Sequence, residues 1–288
     1  MALPRFAVLG GRRVAYEEYG APGGHTVFVL HGTPDSRLGK GYLDPLGRAR
    51  GLRIICPDRP GIGRSDPRPD RTLAGYATEL LGLADALGAA RFAVVGHSGG
   101  GPYAMACATG CGPRLTGVAT LAGAGPLDDR EGAREGLATS DLELLDLARN
   151  RPRAGALRLR SQKLAVQLFP QAARRSLAAG LDEPDHAVLA SMSARSTVEP
   201  FVESLRQGPA GVLDDYRLWG SPWGLDWTAA VVPVHVVQGD RDRVVPLHHA
   251  QDLVHRLPAG VGRLHPVEGA GHLSIMSSAG AVLDLLVP

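Results

Sequence analysis

The sequence predicts an α/β protein with a mainly parallel central sheet, helices on both faces and a helical insertion. Three observations carry this reading. Short, apolar, partly β-branched runs alternate with segments whose apolar residues recur at helical spacing, both before residue 125 and after residue 229. Glycine- and histidine-bearing turns follow several of these runs, as expected where parallel strands end. Between about residues 126 and 228 the alternation stops, and a hundred residues are too many for a loop inside a compact sheet. The expected division is a core of residues 1–125 and 229–288, interrupted by a helical unit at 126–228.

Taken in order, 14–19 and 26–30 read as strands, the second ending at His31-Gly32-Thr33-Pro34. Residues 53–56 form the next strand and lead into the turn-rich PDRPGIGRSDP. Leu80, Leu81, Leu83, Ala84 and Leu87 place a helix over 76–87, closed by Gly88. A strand over 92–95 runs into Gly96-His97-Ser98-Gly99-Gly100, and the Ala- and Met-rich 102–109 reads as a helix with Pro102 in its first turn. A strand over 117–121 precedes the insertion, whose Leu137, Leu142, Leu144, Leu145 and Leu147 lie at helical spacing. Beyond it come a strand at 234–237, a helix at 247–257, a strand at 263–267 and a last helix at 275–287.

Composition narrows the function classes. The 31 basic and 29 acidic residues are interspersed and give a net charge of +2, without the concentrated basic face that nucleic acid requires. Three cysteines make no disulfide framework, and Cys107 and Cys111 have no metal-ligand partner spacing. The N-terminal stretch has no long apolar core, and no window approaches eighteen uninterrupted apolar residues. The expectation is a cytoplasmic protein with no membrane partner. Its oligomeric state is not legible in the sequence.

Gly96 to Gly100 fits GxSxG. In that motif a tight strand-to-helix turn holds a nucleophilic serine in a strained conformation. A glycine-rich turn with a helix-capping serine fits the same five residues. A serine hydroxyl is a weak nucleophile and needs a base, with a carboxylate to orient that base. His272, in GAGH after the last strand, is the candidate base, and an acid in the 240s, in GDRDRVVP, completes the chain order Ser, Asp, His. Asp240 and Asp242 both answer that description.

The loops HGTP, DRPGIGRSDP, GHSGGG, GDRDRVVP and GAGHL, in this order, resemble the signature loops of the α/β-hydrolase-fold superfamily, and the chain resembles its serine hydrolases with a helical cap. The match spans nearly the whole chain. The resemblance implies Ser98 as nucleophile, His272 as base and the backbone N–H groups of Thr33 and Gly99 as oxyanion hole. It also implies Asp242 as the acid, because the family places that residue four positions before the proline, here Pro246. Asp35 departs from the glycine many relatives carry after HGTP. It reads as a solvated helix N-cap or as a polar contact to substrate.

His31 is expected to tie neighbouring loops, His97 to be packed, and Asp58, Gly61, Gly63 and Ser65 to form a turn. His248, His249, His255 and His265 show no metal-ligand spacing. Trp219, Trp223 and Trp227 end the insertion and are expected to fasten it to the core. Because the family's cap lies over the nucleophile, Trp219 and Trp223 are also candidates to wall an apolar substrate pocket.

The resemblance thus implies hydrolysis of an ester, thioester or lactone of a small to medium apolar substrate through an acyl-enzyme, with no cofactor or metal. The same triad supports carbon–carbon bond hydrolysis, perhydrolysis or a biosynthetic cyclisation. A non-catalytic small-molecule receptor on the same fold is the reading from a different class.

Overall fold

A computed structural model describes residues 4–127 and 131–287. Residues 1–3, 128–130 and 288, which the expected core and insertion ranges include, lie outside the described residues. The sheet has eight strands among the described residues: β1 Arg5–Leu9, β2 Arg12–Gly20, β3 His25–Leu30, β4 Leu52–Pro57, β5 Phe92–His97, β6 Leu115–Leu121, β7 Val234–Gly239 and β8 Gly262–Val267. Their order is β1-β2-β4-β3-β5-β6-β7-β8. β2 is antiparallel to β1 and β4, and all other pairings are parallel.

β5 and β7 are buried at every position, which explains the apolar run of residues 92–95 and the valines Val234, Val236 and Val237. Helices α2 (Leu73–Ala86) and α3 (Gly101–Gly110) cover one face together with α10 (Leu247–Arg256). Leu43 of α1 (Leu43–Ala49) and Val282, Leu283 and Leu286 of α11 (Ala279–Leu286) pack on the other. Between β6 and β7 lie α4 (Thr139–Asn150), α5 (Pro152–Leu168), α6 (Pro170–Ala179), α7 (Glu183–Ser191), α8 (Ala194–Ser204) and α9 (Ala210–Trp219).

Three elements differ from the sequence expectation. β1 buries only Ala7, so its five residues carry too little alternation to announce an edge strand. α1 has seven residues and no side-chain cap, and it leaves no boundary signal. The helix expected over 275–287 opens as a 3₁₀ turn, Ser274–Ser278, before α11 begins. There Ser277 Oγ donates to the Ser274 carbonyl at 2.8 Å, a local bond that competes with helix formation.

Candidate active site

Four loops meet beyond the carboxyl ends of β3, β5, β7 and β8. Ser98, the first residue after β5, has φ +53°, a left-handed conformation rare for a residue with a Cβ. Glycines on either side permit it, since a Cβ at Gly96 would strike the Gly100 carbonyl and one at Gly100 the Leu30 carbonyl. Of the two readings of GxSxG, the strained turn is the one formed, and the N-cap of α3 is Gly100.

Ser98 Oγ lies 3.0 Å from His272 Nε2, and His272 Nδ1 lies 2.8 Å from Asp242 Oδ2. Asp242 Oδ1 accepts the N–H groups of Val244 (2.8 Å) and Val245 (2.9 Å), and Oδ2 also accepts from Gln238 Nε2 at 2.9 Å. The carboxylate is thereby fixed in rotation. Burial raises the Asp242 carboxyl, but His272 and these hydrogen bonds outweigh it and hold it below the usual range. For His272, burial opposes protonation, yet Asp242, with Asp141 and Asp185 behind it, leaves the imidazole above its ordinary value. Asp240 is exposed and accepts the Gly269 N–H at 2.8 Å. Its role is to shape the turn that carries His272.

Thr33 and Gly99 are in close contact: a Cβ on Gly99 would stand 2.7 Å from Thr33 Oγ1 and 2.9 Å from its nitrogen. Arg59, with no exposed side-chain surface, holds the Thr33 loop. It donates to the His31 carbonyl, the Gly32 carbonyl (2.7 Å) and Thr33 Oγ1 (2.7 Å). Asp215 of α9 neutralises it at 2.7 Å and also accepts from Thr33 Oγ1, Tyr103 and Arg71. His31 accepts the Arg59 N–H on Nε2 (3.3 Å) and has Nδ1 2.8 Å from the Gly32 carbonyl. Burial, then Arg59, lowers its pKa to about 3, so the ring is a neutral tie.

A second carboxylate reaches the site from the inserted helices. Asp185 of α7 is 1% exposed. Its oxygens accept the N–H groups of His272 (2.9 Å), Leu273 (3.0 Å) and Ser274 (2.8 Å), and the Ser274 hydroxyl (2.8 Å). Neither Asp185 nor Asp215 is marked in the sequence. Each reads there as an acid on a helix, and only the fold turns it inward.

Ser98 opens on a cavity of about 730 Å³, and its walls continue into a second lobe of about 690 Å³. Pro34, Asp35, His97, Asp141, Gln162 and Val166 line both lobes. His97 has no hydrogen-bond partner on either ring nitrogen among the described residues, and burial, then Lys40 and His272, lowers its pKa to about 3. Asp35 is ion-paired to Lys40 at 2.6 Å, which outweighs burial and keeps its carboxyl low. Ser36, not Asp35, caps the next turn, so Asp35 is a cavity wall rather than a solvated N-cap.

The tryptophans correct an expectation. Trp219 donates to the Gly125 carbonyl at 2.8 Å and Trp223 to the Trp219 carbonyl at 3.3 Å. Both are buried in the main core cluster, and neither lines the two lobes. The face of α9 that meets the cavity instead presents Tyr216, whose hydroxyl donates to Asp141 Oδ1 at 2.6 Å.

A mainly parallel sheet thus carries a left-handed serine after its central strand β5, with a carboxylate after β7 and a histidine after β8 turned toward it. The chain belongs to the alpha/beta hydrolase family, whose model matches residues 27–285. It is 29% identical over 260 residues to a 2-hydroxy-6-oxononadienedioate/2-hydroxy-6-oxononatrienedioate hydrolase of Pseudomonas putida, covering 87% of this chain and 82% of that one. An uncharacterized protein of Mycobacterium tuberculosis is 26% identical over 98% of this chain and 79% of its own. Among solved structures, a bromoperoxidase from Bacillus anthracis superposes with a TM-score of 0.72 at 19% identity, covering 99% of both chains, a likeness of fold.

Proposed function

We propose that the protein is a serine hydrolase that cleaves an ester, thioester or lactone of a small to medium apolar substrate through an acyl-enzyme. The observation that carries this is the unbroken relay from Ser98 Oγ through His272 to Asp242, at 3.0 and 2.8 Å, at the floor of a largely apolar cavity. Residues 126–228 act as a cap whose helices supply most of the cavity wall.

In the reaction, Ser98 Oγ bonds to the substrate carbonyl carbon while its proton passes to His272 Nε2. The oxyanion rests on the N–H groups of Thr33 and Gly99, and Asp242 stabilises the imidazolium. The carbon–leaving group bond then breaks, and His272 returns the proton to the departing oxygen or sulfur. Water adds to the acyl-enzyme by the same steps, with His272 as base, and frees the acid and Ser98.

The polar groups of the cavity favour a neutral substrate over a dicarboxylate such as the one named for the Pseudomonas relative. Among the described residues, the lysine and arginine side chains in its walls are Lys40, paired with Asp35, and Arg158, paired with Glu143. Neither is free to meet a second negative charge. A fluorophosphonate probe should label the protein at Ser98, and Ser98→Ala should abolish labelling and lower ester turnover by about three orders of magnitude or more. Unchanged labelling of the variant refutes the assignment.

A further inference from the structure

The helix α5 is apolar on two opposite sides. Its inward side consists of Gly155, Leu159 and Val166, all buried. Arg153, Leu157, Arg160, Leu164 and Leu168 fall within about 80° of one another on the opposite side of a 3.6-residue helix. All five are exposed, with Leu157, Leu164 and Leu168 at 65%, 58% and 62%. A helix face meant only for water carries polar residues there. At the end of the helix Phe169 is 64% exposed, and Leu177 of α6 is 44% exposed.

Charge separates this hairpin from the rest of the molecule. Residues 151–180 contain seven basic and no acidic side chains in a chain whose net charge is only +2. Arg151 and Arg158 pair with Asp146 and Glu143, and Lys163 and Arg174 donate to main-chain carbonyls. Arg153, Arg160 and Arg175 are exposed and have no ion-pair partner among the described residues. The surface is also continuous with the cavity, because Phe169 and Leu177 line the lobe that reaches Ser98.

We propose that the outer face of α5, with Phe169 and Leu177 of the cavity rim, docks on an anionic lipid surface. A helix in the plane of a membrane interface needs an exposed apolar stripe with cations beside it, and arginine reaches the phosphates from such a stripe by laying its aliphatic stem along the apolar surface. The leucines enter the acyl boundary and the guanidinium groups meet lipid phosphates. The expectation of no membrane partner rested on the lack of a spanning segment, and no helix among the described residues is long and apolar enough to cross a bilayer. An in-plane helix needs only a stripe. Docking in this orientation sets the cavity mouth against the lipid, so that an amphiphilic substrate enters without crossing water. That last step rests on the hydrolase reading, and docking itself does not.

The test is co-sedimentation of the full chain with vesicles of phosphatidylcholine alone and of phosphatidylcholine mixed with phosphatidylglycerol. The protein should pellet with the mixed vesicles, less so as salt is raised, and remain in solution with the neutral ones. Leu164→Gln/Leu168→Gln and Arg153→Gln/Arg160→Gln should each weaken binding about tenfold or more, while turnover of a soluble short-chain ester stays at the wild-type level. No pelleting with anionic vesicles, equal pelleting with both, or leucine variants that bind like wild type overturns the proposal. So does a dimer in solution that Leu164→Gln/Leu168→Gln dissociates, with no vesicle binding, because a second copy then occupies the face. Vesicle binding by a protein that turns over no ester upholds docking and sinks the hydrolase reading alone.

Discussion

Asp185 Oδ2 accepts the main-chain N–H of His272 at 2.9 Å, so an inserted helix holds the backbone of the residue that faces Ser98. Its other oxygen gathers three more donors from Leu273 and Ser274. The histidine is therefore fixed from two sides, by Asp242 at its ring and by Asp185 at its main chain.

Removing that hold should be felt in the chemistry. Asp185→Ala strips three N–H groups of their acceptor and should lower kcat by about ten- to a hundredfold, the scale of a small misplacement of a reacting group. Stability should fall by about 1–3 kcal/mol for each donor left unsatisfied. Asp185→Asn, which keeps a carbonyl oxygen, should recover part of both. A variant with a lowered melting temperature but wild-type kcat and pH profile would make Asp185 a packing residue only.

Asp242→Asn should reduce turnover by about four orders of magnitude, since the amide neither orients the ring nor stabilises the imidazolium. Asp240→Asn should cost far less, because among the described residues the Asp240 carboxylate bonds only the Gly269 N–H. Steady-state kinetics of the two variants decide between them, and a more damaged Asp240 variant would move the acid by two residues.

The pH profile follows from His272. Protonated His272 cannot take the Ser98 proton, so activity is lost as pH falls through its pKa. Burial lowers that pKa, but Asp242 overrides burial and the net shift is upward. The acid limb of kcat/KM should thus lie above the value of about 6.5 for a free histidine. In Asp242→Asn the residual activity should show a limb displaced to lower pH. A wild-type limb below the free value contradicts the electrostatic account.

Cavity walls and core should separate under truncation. Trp219→Ala empties a buried site and should destabilise by about 3–5 kcal/mol while leaving the ranking of acyl chain lengths unchanged. Val166→Ala, which widens both lobes, should shift that ranking toward longer chains in kcat/KM. Turnover across a series of chromogenic esters checks both.

The sheet was legible because β3, β5 and β7 carry short, buried, valine-rich runs bounded by turn residues, and length, β-branching and those flanking turns separate such runs from helix. Ser98 and His272 were legible for a different reason: glycines are forced on the chain where backbone passes close to backbone, and they mark the loops. The acid was not separable from Asp240 by the residues alone, since two aspartates of one turn differ only in the direction they face. Asp185 and Asp215 left no mark, because their function depends on helices that meet the core from far along the chain. Trp219 and Trp223 misled in the opposite way. The resemblance made them candidate pocket walls because the family's cap lies over the nucleophile, but it is the neighbouring Tyr216 that turns to the cavity.

The two inserted carboxylates, Asp185 on the histidine loop and Asp215 on the Thr33 loop, also bear on how this protein could change over time or by engineering. Caps are attractive units for exchange, because they wall the pocket and leave the strand ends in place. Here the exchange is not free. A transplanted cap without a carboxylate at the Asp215 position would leave Arg59 as a bare cation in the interior, a loss of about 3–5 kcal/mol. A donor cap would therefore have to match these two anchor points before its pocket could matter, so that specificity and foldability are inherited together.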